Sequence, residues 1–463
     1  MPYIISLINL WCTKNLVDSQ FLLGKLLSNN PSSASLRTGS RPVPTEDVMF
    51  FSDPYDPAVQ LVLLNTCGFI SSGREEAIAT AKKLLKKGKQ VCITGCAVKY
   101  RKELAHDPAR DQIKSQVDIY PRNELNTIFL TNTPRALTNL PHKFEYLKIA
   151  EGCNNSCSFC IIPKIRGKQI SFSISNILHE VQNLVHQGAE EIILIAQDST
   201  RYGTDLYGRP QLFELLEQIE QLPWDFRYRV LYLYPDLLIL QQLKKLTSFR
   251  KFIPYFDIPL QHISSSVLKR MERFYDEKAI YDFLDFIKSN FPESFIRTNF
   301  IIGFPGETEE DVKQLHAFIQ QDYFDNIALF EYHDEPLAAS SKLPDQIPSH
   351  IIRQRFLPLR RLVNNLLLKK QETRKGKTYT GYVQDIHVVD NPLPSVFNPS
   401  TPTESGFPSP DREEKGMERN ATITVRPILH CPEIDEVDEI SIDQIISCED
   451  EELQIASKIT YHL

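Results

Sequence analysis

Apolar residues recur along this chain with two periods, and the alternation between those periods sets the architecture to expect. To about residue 130, short apolar runs alternate with amphipathic helical stretches: Tyr3 to Leu10, Leu61 to Leu64 and Gln90 to Thr94 read as strands, and Glu75 to Lys86 as a helix. Strands alternating with helices predict a small parallel α/β sheet whose binding edge lies at the carboxyl ends of its strands. The run Thr131 to Lys143, rich in Thr, Asn and Pro, reads as a linker.

Beyond it one pattern repeats six times. Strands are expected at Phe144 to Ala150, Glu191 to Gln197, Arg229 to Tyr234, Tyr255 to Pro259, Phe295 to Ile302 and Ile327 to Tyr332. Helical stretches such as Leu212 to Leu222, Ala279 to Ser289 and Thr308 to Gln321 separate them, the last opening with an approximate capping box of Thr308 and Asp311. Six β/α units predict a partial barrel with its chemistry at the strands' carboxyl ends. A long helix, Ile351 to Arg374, leads to short strands at Tyr379 to Val383, Ala421 to Val425 and Glu439 to Ile442, which suggest a small OB-like β-barrel. Asn391 to Asn420, with six prolines, reads as a mobile insertion.

Composition agrees with three domains, at 1–135, 140–372 and 375–463. The 463 residues are 42% hydrophobic and 24% charged, which places the chain in the ordinary globular class. No apolar run reaches the length of a membrane span, and the apolar start Met1 to Leu10 lacks the basic flank and cleavage site of a signal peptide. A cytosolic protein without membrane contact is expected. Cytosolic thiols stay reduced, so clustered cysteines among the nine point to metal ligands or catalytic thiols, not disulfides.

The strongest chemical signal is Glu-Gly-Cys-Asn-Asn-Ser-Cys-Ser-Phe-Cys, which places Cys153, Cys157 and Cys160 just after the first barrel strand. Three thiolates at these spacings hold three irons of a [4Fe-4S] cube and leave the fourth iron open. A structural zinc knuckle needs a fourth ligand, and no Cys or His follows at zinc spacing. Cys12, Cys67 and Cys96 each follow an apolar run, so parallel strands would bring all three to one sheet edge. Alone, they read equally well as buried structural thiols. Cys92 falls inside a strand, and Cys431 and Cys448 lie in the tail without ligand spacing.

The motif around Cys153, with the aromatic Phe159 before its last cysteine, resembles the radical S-adenosylmethionine superfamily. With the dispersed cysteines, nearly the full chain resembles the methylthiotransferases, which join an amino-terminal cluster domain, a radical barrel and a TRAM domain. The resemblance implies a second [4Fe-4S] cluster on Cys12, Cys67 and Cys96. It also implies that S-adenosylmethionine on the open iron is cleaved to a deoxyadenosyl radical, after which sulfur is inserted into a C–H bond and methylated.

Cys-Thr-Lys-Asn-Leu-Val-Asp-Ser-Gln (Cys12 to Gln20), Tyr232 to Pro235, Asp257 to His262 and Arg297 to Glu307 look most like the branch that modifies the β-carbon of an aspartate in small-subunit ribosomal protein twelve. The tRNA branch is expected to carry Gln-Met-Asn after the first cysteine. A flavodoxin or ferredoxin as reductant and a sulfur donor are implied partners. Trp11 stands where the family usually has glycine, and Phe172 where an arginine often follows Ser171. Among strand-end residues, Gln197, Asp198, Gln261 and Arg297, with Phe159, are the candidates for contact with S-adenosylmethionine, and His262 is a weaker one. Gly303, Pro305 and Gly306 read as a tight turn.

Charge bears on the substrate. Residues 376–463 hold six Lys+Arg against seventeen Asp+Glu, a net of −11, which leaves +4 on the rest. Such a tail repels RNA phosphates and attracts a basic ribosomal protein; a solvated acidic surface is the plainer explanation. Residues 351–377 oppose it with nine Lys+Arg and one acidic residue, a helix suited either to RNA or to the acidic tail. The competing functions are a tRNA adenosine methylthiotransferase and, in another class, a non-catalytic iron-sulfur carrier.

Overall fold

The computed structural model describes residues 3–10, 12–27, 37–38, 41–42, 48–69, 71–100, 117–119, 135–137, 143–236, 239–389, 420–428, 430–431, 435, 438–441, 444–448 and 458–463. The chain divides into two compact units, Met1–Leu368 and Lys369–Leu463.

The first unit opens with the expected parallel sheet: β1 (Tyr3–Asn9), β2 (Val48–Phe50), β3 (Leu61–Thr66), β4 (Gln90–Gly95) and β5 (Val117–Ile119), in spatial order β2-β1-β3-β4-β5. The short outer strands β2 and β5 carry too little periodicity to be read from sequence. Helix α1 (Thr13–Leu27) follows β1, and α2 (Ser71–Lys86) follows β3, where Val59, Val62, Leu64, Ala81, Leu84 and Val91 form a core. In α1 even the polar residues Lys14, Asn15, Asp18, Ser19 and Gln20 are buried, because the helix also packs against the first barrel strand.

That barrel is a six-stranded, all-parallel sheet in sequential order: β6 (Phe144–Lys148), β7 (Glu191–Ile195), β8 (Arg227–Val230), β9 (Phe252–Gln261), β10 (Phe295–Ile302) and β11 (Asn326–Glu331). All six expected strands form, with shifted edges. The third ends at Val230, not Tyr234, because Tyr232 takes a left-handed φ of 62° and its N–H donates to Asp257 Oδ2 at 3.1 Å instead of a neighbouring strand. The fourth runs past Pro259, whose missing N–H falls within a register shift between Ile258 and Gln261. The covering helices match their sequence signals: Leu212–Glu220, Glu277–Asn290 and Glu309–Ile319, the last with a complete capping box of Thr308 and Asp311. In the long helix Ser349–Arg374, Phe356, Leu359 and Val363 pack into the barrel core. Its Arg353 pairs with Glu331, and Arg355 with Glu307 and Glu309, so part of its positive charge is committed to the barrel.

The second unit holds five antiparallel strands, Thr378–Val389, Asn420–Pro427, Asp438–Ser441, Ile445–Cys448 and Lys458–His462, with the first at the centre of the sheet. The proline-rich run expected to be mobile lies outside the described residues, as does most of the expected linker before the barrel. Arg135, within that linker, is buried and donates to Gln20 and Glu145, so this part of it is fastened down.

Candidate functional site

Cys153, Cys157 and Cys160 occupy a loop at the carboxyl end of β6. Gly152 makes the loop possible: its φ is 72°, and a Cβ there would lie 2.2 Å from the Lys168 carbonyl oxygen. Each sulfur meets a donor. The Asn155 N–H reaches Cys153 Sγ at 3.4 Å, the Ile162 N–H reaches Cys160 Sγ at 3.4 Å, and Arg273 Nη1 reaches Cys157 Sγ at 3.2 Å. Burial pushes the Cys153 thiol up to about 11 and the Cys160 thiol up to about 12, and the neighbouring thiols add to both shifts. Three sulfurs each beside an N–H, two of them at thiols that disfavour charge, suit irons that would supply positive charge. Among the described residues no three His, Cys, Asp or Glu side chains converge on a single ion. A four-iron cube is larger than one ion and takes thiolates set farther apart.

Sequence reading missed Arg273. Its guanidinium lies 4.1 Å from the Tyr234 ring centroid and 5.0 Å from that of Tyr275, and Nη2 donates to the Pro259 carbonyl at 2.6 Å. No spacing rule links residue 273 to Cys157; only the closing of the barrel brings them together.

The strand-end candidates separate by their partners. Both amide atoms of Gln197 and Oδ1 of Asp198 are buried without a hydrogen bond among the described residues, while Asn155 donates to Asp198 Oδ2 at 2.7 Å. Burial raises the Asp198 carboxyl. Gln261 accepts from Asn299 at 2.9 Å, and Arg297 donates to Asp257 at 2.8 Å. Phe159 rests against the apolar group of Val267, Met271, Phe304, Tyr332 and Ile352. His262 is fully buried and accepts from the Ser264 N–H at 3.0 Å, a structural use. The turn at Gly303 and Gly306 packs against Ile352 and Arg270. Phe172 is in the barrel core, and Trp11 lies outside the described residues.

Cys12, Cys67 and Cys96 follow β1, β3 and β4, three adjacent parallel strands, and so share one sheet edge. Asn15 ties their loops together. It donates to the Thr66 carbonyl at 3.1 Å, its own carbonyl accepts from Asn65 at 2.7 Å, and its Oδ1 lies 3.9 Å from Cys96 Sγ. Gly95 precedes Cys96 with φ 90°, and a Cβ there would lie 2.1 Å from Asn65 Oδ1. Gly68 backs directly onto the Cys96 carbonyl. Burial alone would raise the Cys12 thiol, but Lys14 and Arg166 overcome it and lower the thiol below its ordinary value. Both cysteine groups are thus buried beside a cation, Arg273 at Cys157 and Lys14 with Arg166 at Cys12.

Between them lies a buried charge cluster. Lys148 on β6 pairs with Asp18 on α1 and with Glu151 at 2.7 Å; Arg166 pairs with Glu151 at 2.9 Å and donates to Asn15 at 2.6 Å. Arg135 adds a second link, with Glu145 at 2.9 Å and Glu180 at 3.3 Å. Within the run from Cys12 to Gln20, Asn15, Asp18, Ser19 and Gln20 hold the first sheet or the barrel in place.

Comparison with known proteins sets this geometry in a family. Residues 147–319 match the Radical SAM superfamily model. The curated ribosomal protein uS12 methylthiotransferase RimO of Aquifex aeolicus (strain VF5) is 36% identical over 81% of this chain and 82% of its own length. That of Clostridioides difficile (strain 630) is 33% identical over 84% and 88%. Among solved structures, the radical S-adenosylmethionine methyltransferase TsrM from Kitasatospora setae aligns with a TM-score of 0.50 at 11% identity, over 73% of this chain and 77% of that one, a likeness of fold alone.

Proposed function

The chain belongs to the RimO family of ribosomal protein uS12 methylthiotransferases, and from that premise we propose that it methylthiolates the β-carbon of an aspartate in uS12. The observation that carries the reading is the pair of three-cysteine groups in one compact unit, each at the carboxyl edge of its own parallel sheet. An iron-sulfur carrier has no use for the barrel around the second group.

In this reading Cys153, Cys157 and Cys160 hold a [4Fe-4S] cluster with one open iron, and Cys12, Cys67 and Cys96 hold a second cluster. Bound there, the clusters and S-adenosylmethionine supply hydrogen-atom abstraction, sulfur insertion and methyl transfer. The chain's own residues bind and orient. Gln197 and Asp198 offer polar atoms to the cofactor, whereas Gln261 and Arg297 already engage Asn299 and Asp257 and shape the site beside it. Phe159 keeps the loop of Cys160 anchored to its apolar group. Arg273 holds positive charge at Cys157. The acidic 376–463 segment attracts the basic substrate, and a flavodoxin or ferredoxin and a sulfur donor complete the partners. Action on a ribosomal protein supports a cytoplasmic enzyme; among the described residues no helix is long and apolar enough to cross a membrane.

Mass spectrometry of uS12 and of total tRNA, from cells with and without the gene, tests this reading. A methylthio increment lost from uS12 alone is expected. Loss from tRNA adenosine alone refutes it and makes the basic helix the informative charge feature.

A further inference from the structure

The segment that follows β11 touches the loops of both cysteine groups. Glu335 Oε2 accepts from Nη1 and Nη2 of Arg74, each at 3.1 Å, in a pair whose side chains are 12% and 15% exposed. Arg74, near the start of α2, also donates to the Gly68 carbonyl at 3.1 Å, one residue after Cys67. The neighbouring Gly73 backs onto that cysteine: a Cβ there would stand 3.3 Å from Cys67 Sγ. Two residues past Glu335, the Leu337 carbonyl accepts from Lys164 on the short helix Ile162–Arg166 that follows Cys160. The Ser340 N–H then donates at 2.8 Å to the carbonyl of Ser158, between Cys157 and Cys160. Between these points Leu337 and Ala338 pack with Phe69, Cys96, Ile161 and Ile165 in one apolar group. The Ala338 N–H donates to the Glu335 carbonyl at 2.7 Å, and the Tyr332 hydroxyl to Ser340 Oγ at 2.9 Å, so the segment is also held in its own shape.

Sulfur passed from one site to a carbon at the other must arrive in contact with it, and reacting groups misplaced by about 1 Å lose on the order of 100-fold in rate. Cys67 and Cys157 sit on loops of two different sheets, and loops are the more mobile parts of a fold. We propose that Glu335 to Ser340 is a strap that sets the separation of the two cysteine groups, with Glu335 and Arg74 as positioning residues for the transfer of sulfur. This role rests on the function given above and deepens it. The strap meets the loop of Cys67 through the Arg74–Glu335 pair and apolar contacts, and the barrel loop through Lys164 and Ser158. Release of the ion pair therefore loosens the first group and leaves the barrel group fastened. Radical formation needs the barrel group alone and should survive; sulfur insertion needs both groups in register and should not.

The test uses the full-length, cluster-loaded protein with S-adenosylmethionine, uS12 and dithionite as reductant, and compares wild type with Glu335→Ala, Arg74→Met, their double variant and Glu335→Gln. Iron content, 5′-deoxyadenosine, methylthiolated product and the dipolar coupling between the two reduced clusters, read by pulsed EPR, are measured for each. In Glu335→Ala, iron and deoxyadenosine are expected at wild-type levels, product per deoxyadenosine lower by roughly 10–100-fold, and the coupling spread over a wider range of distances. Arg74→Met should match it, and the double variant should be no worse than either single one. Glu335→Gln, which can still accept from Arg74, should retain more product than Glu335→Ala. Unchanged product per deoxyadenosine in Glu335→Ala with full iron overturns the proposal. So does a loss of product with an unchanged dipolar spectrum, or a fall in iron that lowers deoxyadenosine and product together in both Glu335 variants. If wild type modifies tRNA and not uS12, the proposed function falls, and the same ratio measured on tRNA still decides the strap.

Discussion

Replacing Lys148 by methionine strikes the charge cluster that joins the first sheet to the barrel. The side chains of Lys148 and Asp18 are fully out of water, and those of Glu151 and Arg166 nearly so. Two cations and two carboxylates balance one another; without Lys148 the cluster carries a net buried negative charge, with Arg166 3.8 Å from Asp18 and 2.9 Å from Glu151. Breaking a buried pair by removing one partner costs about 3–5 kcal/mol. With a urea dependence of roughly 3 kcal/mol per molar for a unit this large, the midpoint should fall by on the order of 1 M. The double variant Lys148→Met/Asp18→Asn restores neutrality and should recover part of the loss, by about 0.5–3 kcal/mol of coupling. Urea titrations followed by circular dichroism, with limited proteolysis as a second probe, would measure both. A Lys148→Met midpoint equal to that of wild type, or a double variant no better than the single one, would refute the cluster's role.

Other outcomes follow from the same structure. Cys157→Ala should abolish S-adenosylmethionine cleavage, while Cys12→Ala should keep cleavage and stop sulfur insertion; chromatography of cleavage products and mass spectrometry of uS12 decide, and retained product in either variant contradicts its assignment. Arg273→Met removes a cationic donor from Cys157 Sγ, so the barrel cluster's midpoint potential should become more negative in an EPR-monitored titration, and an unchanged potential counts against the contact. Burial alone would raise the Asp311 carboxyl, but hydrogen bonds from Ser264, Thr308 and Ser266 hold it at about 2, below its ordinary 3.8. Its folded value is depressed, so its contribution is complete above about pH 4 and is lost as pH falls toward 2. The stability gap between wild type and Asp311→Ala should narrow across that window, and a gap constant with pH would exclude the assignment.

The sequence carried the parts of this fold that repeat. Six apolar runs at β/α spacing became six parallel strands, and the Thr308–Asp311 signal became a full capping box, because both depend on neighbours a few residues away. The three-cysteine run after β6 was legible for the same reason, and the shared sheet edge of Cys12, Cys67 and Cys96 followed from strand order. What could not be read is what the tertiary structure decides. Tyr232 ends its strand early for an N–H contact to Asp257, twenty-five residues away. Arg273 meets Cys157 across 116 residues, and the polar face of α1 is buried only because the barrel lies on it.

The pairing of Asp18 with Lys148 and Arg166 also fixes an order of events during synthesis. Asp18 leaves the ribosome 130 residues before Lys148, the first of its two cations to be made, an interval of roughly 6–26 s at ordinary elongation rates. Throughout that time α1 carries a carboxylate with no cation to receive it and a polar face with nothing to cover it. The nascent amino-terminal segment therefore waits, with Asp18 hydrated, until the barrel's first strand and the loop of Cys153 to Cys160 are made, and the helix that follows Cys12 settles only when both sets of thiols are in the same folding chain.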